Sequence, residues 1–360
     1  MNENNYVAIM AGGIGSRFWP VSRVGYPKQF LDLLNVGKTL IQSTYDRFAQ
    51  FIPNENIFIV TSSQYKEIVE TQLPQLKPEN ILCEPSRKNT APCVAYISYK
   101  LQQLNPKSNL ICAPADHLIL DDTSFIKVCL EALEFTEKNN ALITLGIKPL
   151  FPNTGYGYIQ HEQYAVSDNI YKVKTFTEKP DFELAKKFLI SGDFLWNAGI
   201  FVWRTSSIIT AFEKYLPEIH EIFDSAKKDL VTSREKAAIG LIYPLCVNIS
   251  IDYGILEKAD NVYVIPSAFG WSDLGTWGSA YENLEKDHLD NAITGDNVML
   301  FDSTKNIIHS HNDKLLLLQG LDDFIIVDTE DVLLICKKEK EQHIKEYVAE
   351  VKRNKGDKNL

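Results

Sequence analysis

No stretch of this 360-residue sequence is apolar for long enough to cross a bilayer; runs such as 315–318 and 332–336 are far too short. The six cysteines (Cys83, Cys93, Cys112, Cys129, Cys246 and Cys336) include no C-x-x-C pair. That argues against a zinc or disulfide framework and for reduced, buried thiols. There is no excess of basic charge. The formal net charge is −10, which denies a nucleic acid the positive face it requires. No G-x-S-x-G motif and no recognisable Cys/His pair supports a covalent nucleophile. Low-complexity segments and strict repeats are missing as well. The opening MNENN is polar and acidic, unlike a signal peptide, so the expected compartment is the cytoplasm, with no membrane partner.

What is present begins with AIMAGGIGSRFWPVSRVGYPK at 8–28. A short apolar strand runs into Gly12, Gly13 and Gly15. Glycines let the backbone approach a ligand, and successive free N–H groups suit phosphate oxygens. Ser16, Arg17 and Lys28 add a hydroxyl and two cations. The spacing is neither that of a dinucleotide fingerprint, since Phe18 stands where a third glycine belongs, nor that of a P-loop. A tight turn with no ligand remains open on the glycines alone.

Along the next 120 residues, strand and helix alternate. Helices are expected at 39–48, 64–72, about 92–104 and 125–138, and strands at 57–61, 81–83, 110–113 and 141–146. Alternation of this kind predicts a Rossmann-like α/β fold: a mostly parallel, mixed sheet with helices on both faces. Ligands in such folds bind beyond the carboxyl ends of strands. The glycine loop, the polar loop 84–90 and Asp116 all fall at such ends. Beyond 291 the chain breaks into short β segments at 298–301, 307–309, 315–318, 324–327 and 333–336. A charged helix at 339–352 closes it. We therefore expect a catalytic domain over 1–285 and a small β-helix-like domain with a terminal helix over 286–360.

Asp116 and Asp273 each follow a strand. Together they suit a hard cation that also binds phosphates, although each alone could be a turn or cap residue. Glu178 and Asn197 could be turn residues or partners for sugar hydroxyls. His117 reads as structural. His309 and His311 alternate on an expected strand and read as a surface pair rather than a zinc site.

AGGIGSRFWPVSR (11–23), YPKQF (26–30), EPSRKNTAP (84–92), PADH (114–117), NTGYGYI (153–159), FTEKP (176–180), WNAGIFVW (196–203), SIDYGILEK (250–258) and WSDLGTW (271–277) occur in this order. In that order they resemble the sugar-phosphate nucleotidyltransferases, over roughly the first 285 residues. FWP and the EP…NTAP element resemble the mannose-1-phosphate guanylyltransferase (GDP-mannose pyrophosphorylase) branch more than relatives with a G-x-G-T-R-L-x-P loop. The resemblance implies GTP and mannose 1-phosphate as substrates, Mg²⁺ or another divalent cation as cofactor, and a homodimer. It implies that Ala11, Gly12, Gly13, Gly15, Ser16, Arg17, Glu84, Asn89, Thr90 and Asp116 bind nucleotide. By the same resemblance Gly157, Glu178, Lys179 and Asn197 bind the sugar phosphate, and Asp116 and Asp273 hold metal. Arg17, Lys28, Asp116 and Asp273 are then the catalytic set. Lys88 departs from the arginine common in relatives: charge is kept, the planar fork is not. No cupin signature occurs, so an attached isomerase half is not expected. The β-rich tail is similar to the short left-handed β-helix of monofunctional relatives. A different nucleotide or sugar phosphate, or a non-catalytic regulatory subunit, stays open at this point.

Overall fold

The computed structural model describes residues 1–310 and 313–360, so His311 lies outside the described residues. The chain forms two compact units that interleave in sequence. The first takes Met1–Gly12, Thr44–Ala115 and Ile119–Trp271; the second takes Gly13–Ser43, Asp116–Leu118 and Ser272–Leu360.

The first unit is built on a nine-stranded mixed sheet. Its strands are β1 (Asn5–Met10), β2 (Ile57–Ser62), β3 (Ile81–Glu84), β4 (Asn109–Pro114), β5 (Leu142–Ile147), β6 (Gly157–Ser167), β7 (Ile170–Glu178), β8 (Phe194–Arg204) and β9 (Val262–Ser267). Their spatial order is β3-β2-β1-β4-β8-β5-β9-β7-β6. β3, β2, β1 and β4 are parallel neighbours. β8 enters antiparallel to both β4 and β5. β1, β2 and β4 are almost wholly buried, which is why they read as continuous apolar runs rather than alternating ones. β1 and β4 end in register at Met10 and Pro114, so Ala11-Gly12 and Ala115 leave the sheet at the same edge.

Helix Thr90–Leu104 is apolar on nearly every side and is buried from Ala91 to Leu101. It packs on helices Thr205–Tyr215 and Pro217–Ala226. Its one buried cation, Lys100, is paired with Glu235 at 2.6 Å. Glu235 opens helix Glu235–Ile242, which the hydrophobic pattern does not announce.

From 292 onward, the described residues of the second unit form six short strands: β10 (Ala292–Thr294), β11 (Val298–Phe301), β12 (Ile307–Ser310), β13 (Leu316–Gln319), β14 (Phe324–Asp328) and β15 (Leu333–Lys337). β10, β12 and β14 stack in parallel, as do β11 and β13, which gives β-helix-like coils. Buried asparagines knit the corners. Asn291 Oδ1 accepts from the Asn306 backbone N–H at 3.0 Å, and Asn306 Oδ1 accepts from that of Phe324 at 2.9 Å. One core joins Ile307, Ile325, Val327 and Leu334 to Phe18 and Trp19 of the glycine loop and to Ile344 of the terminal helix.

That helix spans Ile344–Lys355 and is preceded by a 3-10 turn, Lys338–His343, so it starts later than the charge pattern suggests. The expectation for His309 also needs correction. Its ring is buried and lies 5.7 Å from that of Trp277, so it faces the interior rather than solvent. Among the described residues no helix is long and apolar enough to cross a membrane.

Candidate active site

The glycine loop is shaped by Gly15. Its φ of +62° is left-handed, and a Cβ there would lie 2.4 Å from Lys28 Cβ. Without a side chain, the loop folds back on Lys28. Ser22 Oγ holds the Ile14 carbonyl at 2.9 Å, and Gln29 Nε2 holds that of Gly13 at 3.0 Å. A single 3-10 turn, Ser16–Phe18, follows, anchored by Phe18 against Trp277 with ring centroids 5.1 Å apart.

These segments enclose a cavity of about 300 Å³ within the second unit, lined among others by Arg17, Lys28, Asp116, His117, Asp273 and Lys345. Sequence positions far apart thus meet at one cavity. Lys28 is 4% exposed, and its ammonium reaches three protein oxygens: Asp116 Oδ2 at 2.8 Å and the carbonyls of Asp273 and Leu274 at 2.9 and 3.0 Å. Leu274 adopts φ +43°, a turn conformation uncommon for a branched side chain, and Gly275 N–H donates to Asp273 Oδ1 at 3.0 Å. Burial pushes the Asp116 carboxyl up, but the charges of Lys28 and His117 outweigh it and hold Asp116 below the usual carboxylate range. Arg17 Nε is buried with no hydrogen-bond partner among the described residues. A desolvated guanidinium nitrogen of this kind is completed by an anion.

Two carboxylates on a polar cavity form the oxygen donor set that a small hard cation takes when it keeps its waters and shares substrate phosphates. Among the described residues, no group of three or more His, Cys, Asp or Glu is arranged for a metal. A closed structural zinc site is therefore not what this donor set resembles.

In the first unit, Glu84 ends β3 beneath the loop 85–89. Tyr243 Oη donates to its carboxylate. Burial lifts Glu84 to about 7, against the opposing effect of the tyrosine bond. A Cβ on Gly12 would stand 3.3 Å from Glu84 Oε2, so that glycine allows the carboxyl to lie against the backbone. Asn89 and Thr90 are both engaged within the protein. Asn89 caps the buried helix, its Oδ1 accepting from Thr90 N–H at 2.9 Å, and Thr90 Oγ1 accepts from Ile251 N–H at 2.8 Å.

Gly157, Glu178, Lys179 and Asn197 come together on β6, β7 and β8. Gly157 pairs across strands with Glu178, whose carboxylate occupies the place of a Gly157 side chain: a Cβ there would be 2.4 Å from Oε2. Lys179 Nζ sits 2.5 Å from Glu178 Oε1. Asn197 is oriented unambiguously. Its Oδ1 accepts from Thr144 Oγ1 at 2.8 Å and Gly199 N–H at 3.1 Å, and its Nδ2 donates to Asp252 Oδ1 at 2.9 Å. Asp252, to which the sequence reading gave no role, is thereby part of the cluster. Burial, aided by the charge of Glu178, raises it to about 7. An amide, an ammonium and two carboxyls so arranged can pair with several hydroxyls at once.

The nucleotidyl transferase family model matches residues 6–289, and the model of a MannoseP isomerase/GMP-like beta-helix domain matches residues 296–351. The mannose-1-phosphate guanylyltransferase RfbM of Salmonella typhimurium is 35% identical, over 96% of this chain and 72% of its own length. The alginate biosynthesis protein AlgA of Pseudomonas putida is 36% identical, over 94% of this chain and 70% of its own. A solved structure described as mannose-1-phosphate geranyltransferase from Thermus thermophilus superposes with a TM-score of 0.86 at 27% identity, covering 97% of this chain and 99% of that one. With two domains matched in order and relatives above 30% identity along nearly the whole chain, the protein belongs to the nucleotidyl transferase family and is an enzyme of its mannose-1-phosphate guanylyltransferase branch.

Proposed function

We propose that the protein transfers GMP from GTP to α-D-mannose 1-phosphate, giving GDP-mannose and pyrophosphate. The observation that carries this reading is the cavity in which Arg17, Lys28, Asp116 and Asp273 meet. In this reading Ala11, Gly12, Gly13, Gly15 and Ser16 present backbone to the nucleotide, and Glu84, Asn89 and Thr90 read its base and ribose. Arg17 takes the departing phosphates, which matches its unpartnered Nε. Gly157, Glu178, Lys179 and Asn197 hold the sugar phosphate, and Asp252 orients Asn197. Asp116 and Asp273 would hold Mg²⁺ or another divalent cation, which when bound neutralises phosphate charge.

The chemistry asks little of side chains. A phosphate monoester has its second pKa near ~6, so the attacking oxygen is already anionic near neutral pH and no general base is required. Positioning and charge stabilisation then supply the catalysis. Lys28 is the residue assigned to the reacting phosphate. Its three N–H donors are all on protein oxygens here, so contact with phosphate means giving up one of the two carbonyls or Asp116.

We keep 1–285 as catalytic domain and 286–360 as β-helix-like domain, acting in the cytoplasm as a homodimer. Support for the dimer comes from Met299 and Leu317, in register on β11 and β13 and exposed by 47% and 59%. The test is a pyrophosphate-release assay crossing four nucleoside triphosphates with mannose, glucose and fucose 1-phosphates. Release is expected with GTP and mannose 1-phosphate. No release with any pair overturns the enzymatic reading, and light scattering of the same sample checks the dimer.

A further inference from the structure

We propose that Lys345, carried by the terminal helix of the β-rich region, binds the terminal phosphates of the nucleotide and the pyrophosphate that leaves, so that this region supplies part of the substrate site. The inference rests on the nucleotidyl-transfer reading above and extends it to a residue outside the catalytic motifs.

Lys345 lines the cavity that also holds Arg17, Lys28, Asp116 and Asp273. Its position there is enforced. Ile344, the preceding residue, is fully buried in the core shared with Phe18, Trp19, Leu274 and Trp277. Val348 and Val351 continue that contact at helical spacing, so the register of the helix is set by its apolar stripe. Ahead of the helix, Glu341 Oε2 accepts from Gly278 N–H at 2.7 Å. Beyond it, the Asn359 carbonyl accepts from Trp19 Nε1 at 2.8 Å. Asn359 Nδ2 also donates to Asp331, which pairs with Arg23 at 2.6 Å. The helix is therefore tied to the glycine-loop segment and to the Asp273–Gly278 stretch.

Charge points the same way. With Lys345, three cations (Arg17, Lys28 and Lys345) face two carboxylates (Asp116 and Asp273) in the cavity; without it the count is even. Lys28 is engaged with Asp116, and Arg17 carries a buried, unpartnered Nε. A third cation on the cavity wall lowers the cost of holding a multiply charged phosphate ligand there.

The experiment compares the full-length wild type with Lys345→Ala, Lys345→Arg and Lys352→Ala. The last removes an equal charge from the same helix at a residue that pairs with Asp357. Calorimetry measures pyrophosphate binding with Mg²⁺ and no sugar present, and reverse-direction kinetics measures KM for pyrophosphate. Loss of the lysine is expected to weaken pyrophosphate about five- to tenfold, with Lys345→Arg within about twofold of wild type and Lys352→Ala unchanged. A folded Lys345→Ala protein that binds pyrophosphate like wild type overturns the proposal. Should Lys345→Ala fail to fold, acetylation of wild-type lysines with and without pyrophosphate decides it: protection of Lys345 is expected, and equal labelling refutes it. A wild type that binds pyrophosphate but makes no GDP-mannose fails the guanylyltransferase reading and leaves the Lys345 comparison standing. A wild type that binds no pyrophosphate overturns both.

Discussion

Asp116 and the pair Glu84 and Asp252 are carboxyls shifted in opposite directions from their ordinary values. Asp116 faces a cavity lined with cations, and the ammonium of Lys28 keeps it ionised. Glu84 and Asp252 lie in the sheet unit, where burial dominates and each is lifted to about 7. The lesson is that the side chain alone does not set the charge. A cation within hydrogen-bond reach outweighs burial for Asp116, whereas a tyrosine hydroxyl and an amide do not for the other two. The cavity is equipped for a ligand bearing several negative charges, and the sheet cluster for hydroxyls.

The comparison can be broken most severely at Lys28. Lys28→Ala removes the ammonium that holds Asp116 and two carbonyls, and we expect pyrophosphate release to fall by about a thousandfold. Circular dichroism should show the fold retained; an undiminished rate in such a variant would remove Lys28 from the site.

Glu84 tests the other side. Its folded pKa of about 7 lies above its ordinary 4.5, so the folded state keeps a proton that the unfolded chain has lost. The resulting stability is fully present below pH 4.5 and is lost as pH rises through 7. The span amounts to about 3 kcal/mol at most. Denaturant titrations of wild type and Glu84→Gln between pH 5 and 8 should therefore converge toward acid and separate toward base, with the glutamine variant the more stable at pH 8. Parallel pH curves would contradict the raised carboxyl.

The smallest effect sharpens the division between the two regions. In Gly157→Ala the new methyl meets Glu178 Oε2, the far end of a flexible side chain, so the fold should survive while Glu178 turns aside. KM for mannose 1-phosphate is expected to rise about tenfold with KM for GTP unchanged. Equal rises in both would show that the sheet cluster also serves the nucleotide.

Much of this arrangement is legible along the chain. The alternation of strand and helix, the glycine loop and the short β segments from 298 onward follow from local periodicity, and they recur in the structure with ends within three residues of those expected. The motif resemblance groups Arg17, Lys28, Asp116 and Asp273 as one set, and the cavity holds all four. What periodicity cannot carry is a partner far along the chain. Tyr243 reaches Glu84 across 159 residues, and Asn197 reaches Asp252 across 55. Lys345 looks like one more cation in a charged helix until Ile344 is seen to fix the register. His309 looks exposed on an alternating strand because nothing in sequence tells that the ring of Trp277 packs near it.

Gly13 and Gly15 stand two residues apart and differ in what would exclude a side chain. A Cβ at 15 collides with Lys28 and needs a left-handed backbone, whereas a Cβ at 13 meets nothing within 4 Å. In a library screened only for folding, position 15 should therefore stay glycine while position 13 drifts. A second screen for GDP-mannose synthesis should purge that drift. The gap between the two screens at residue 13 measures how closely the nucleotide rests on bare backbone.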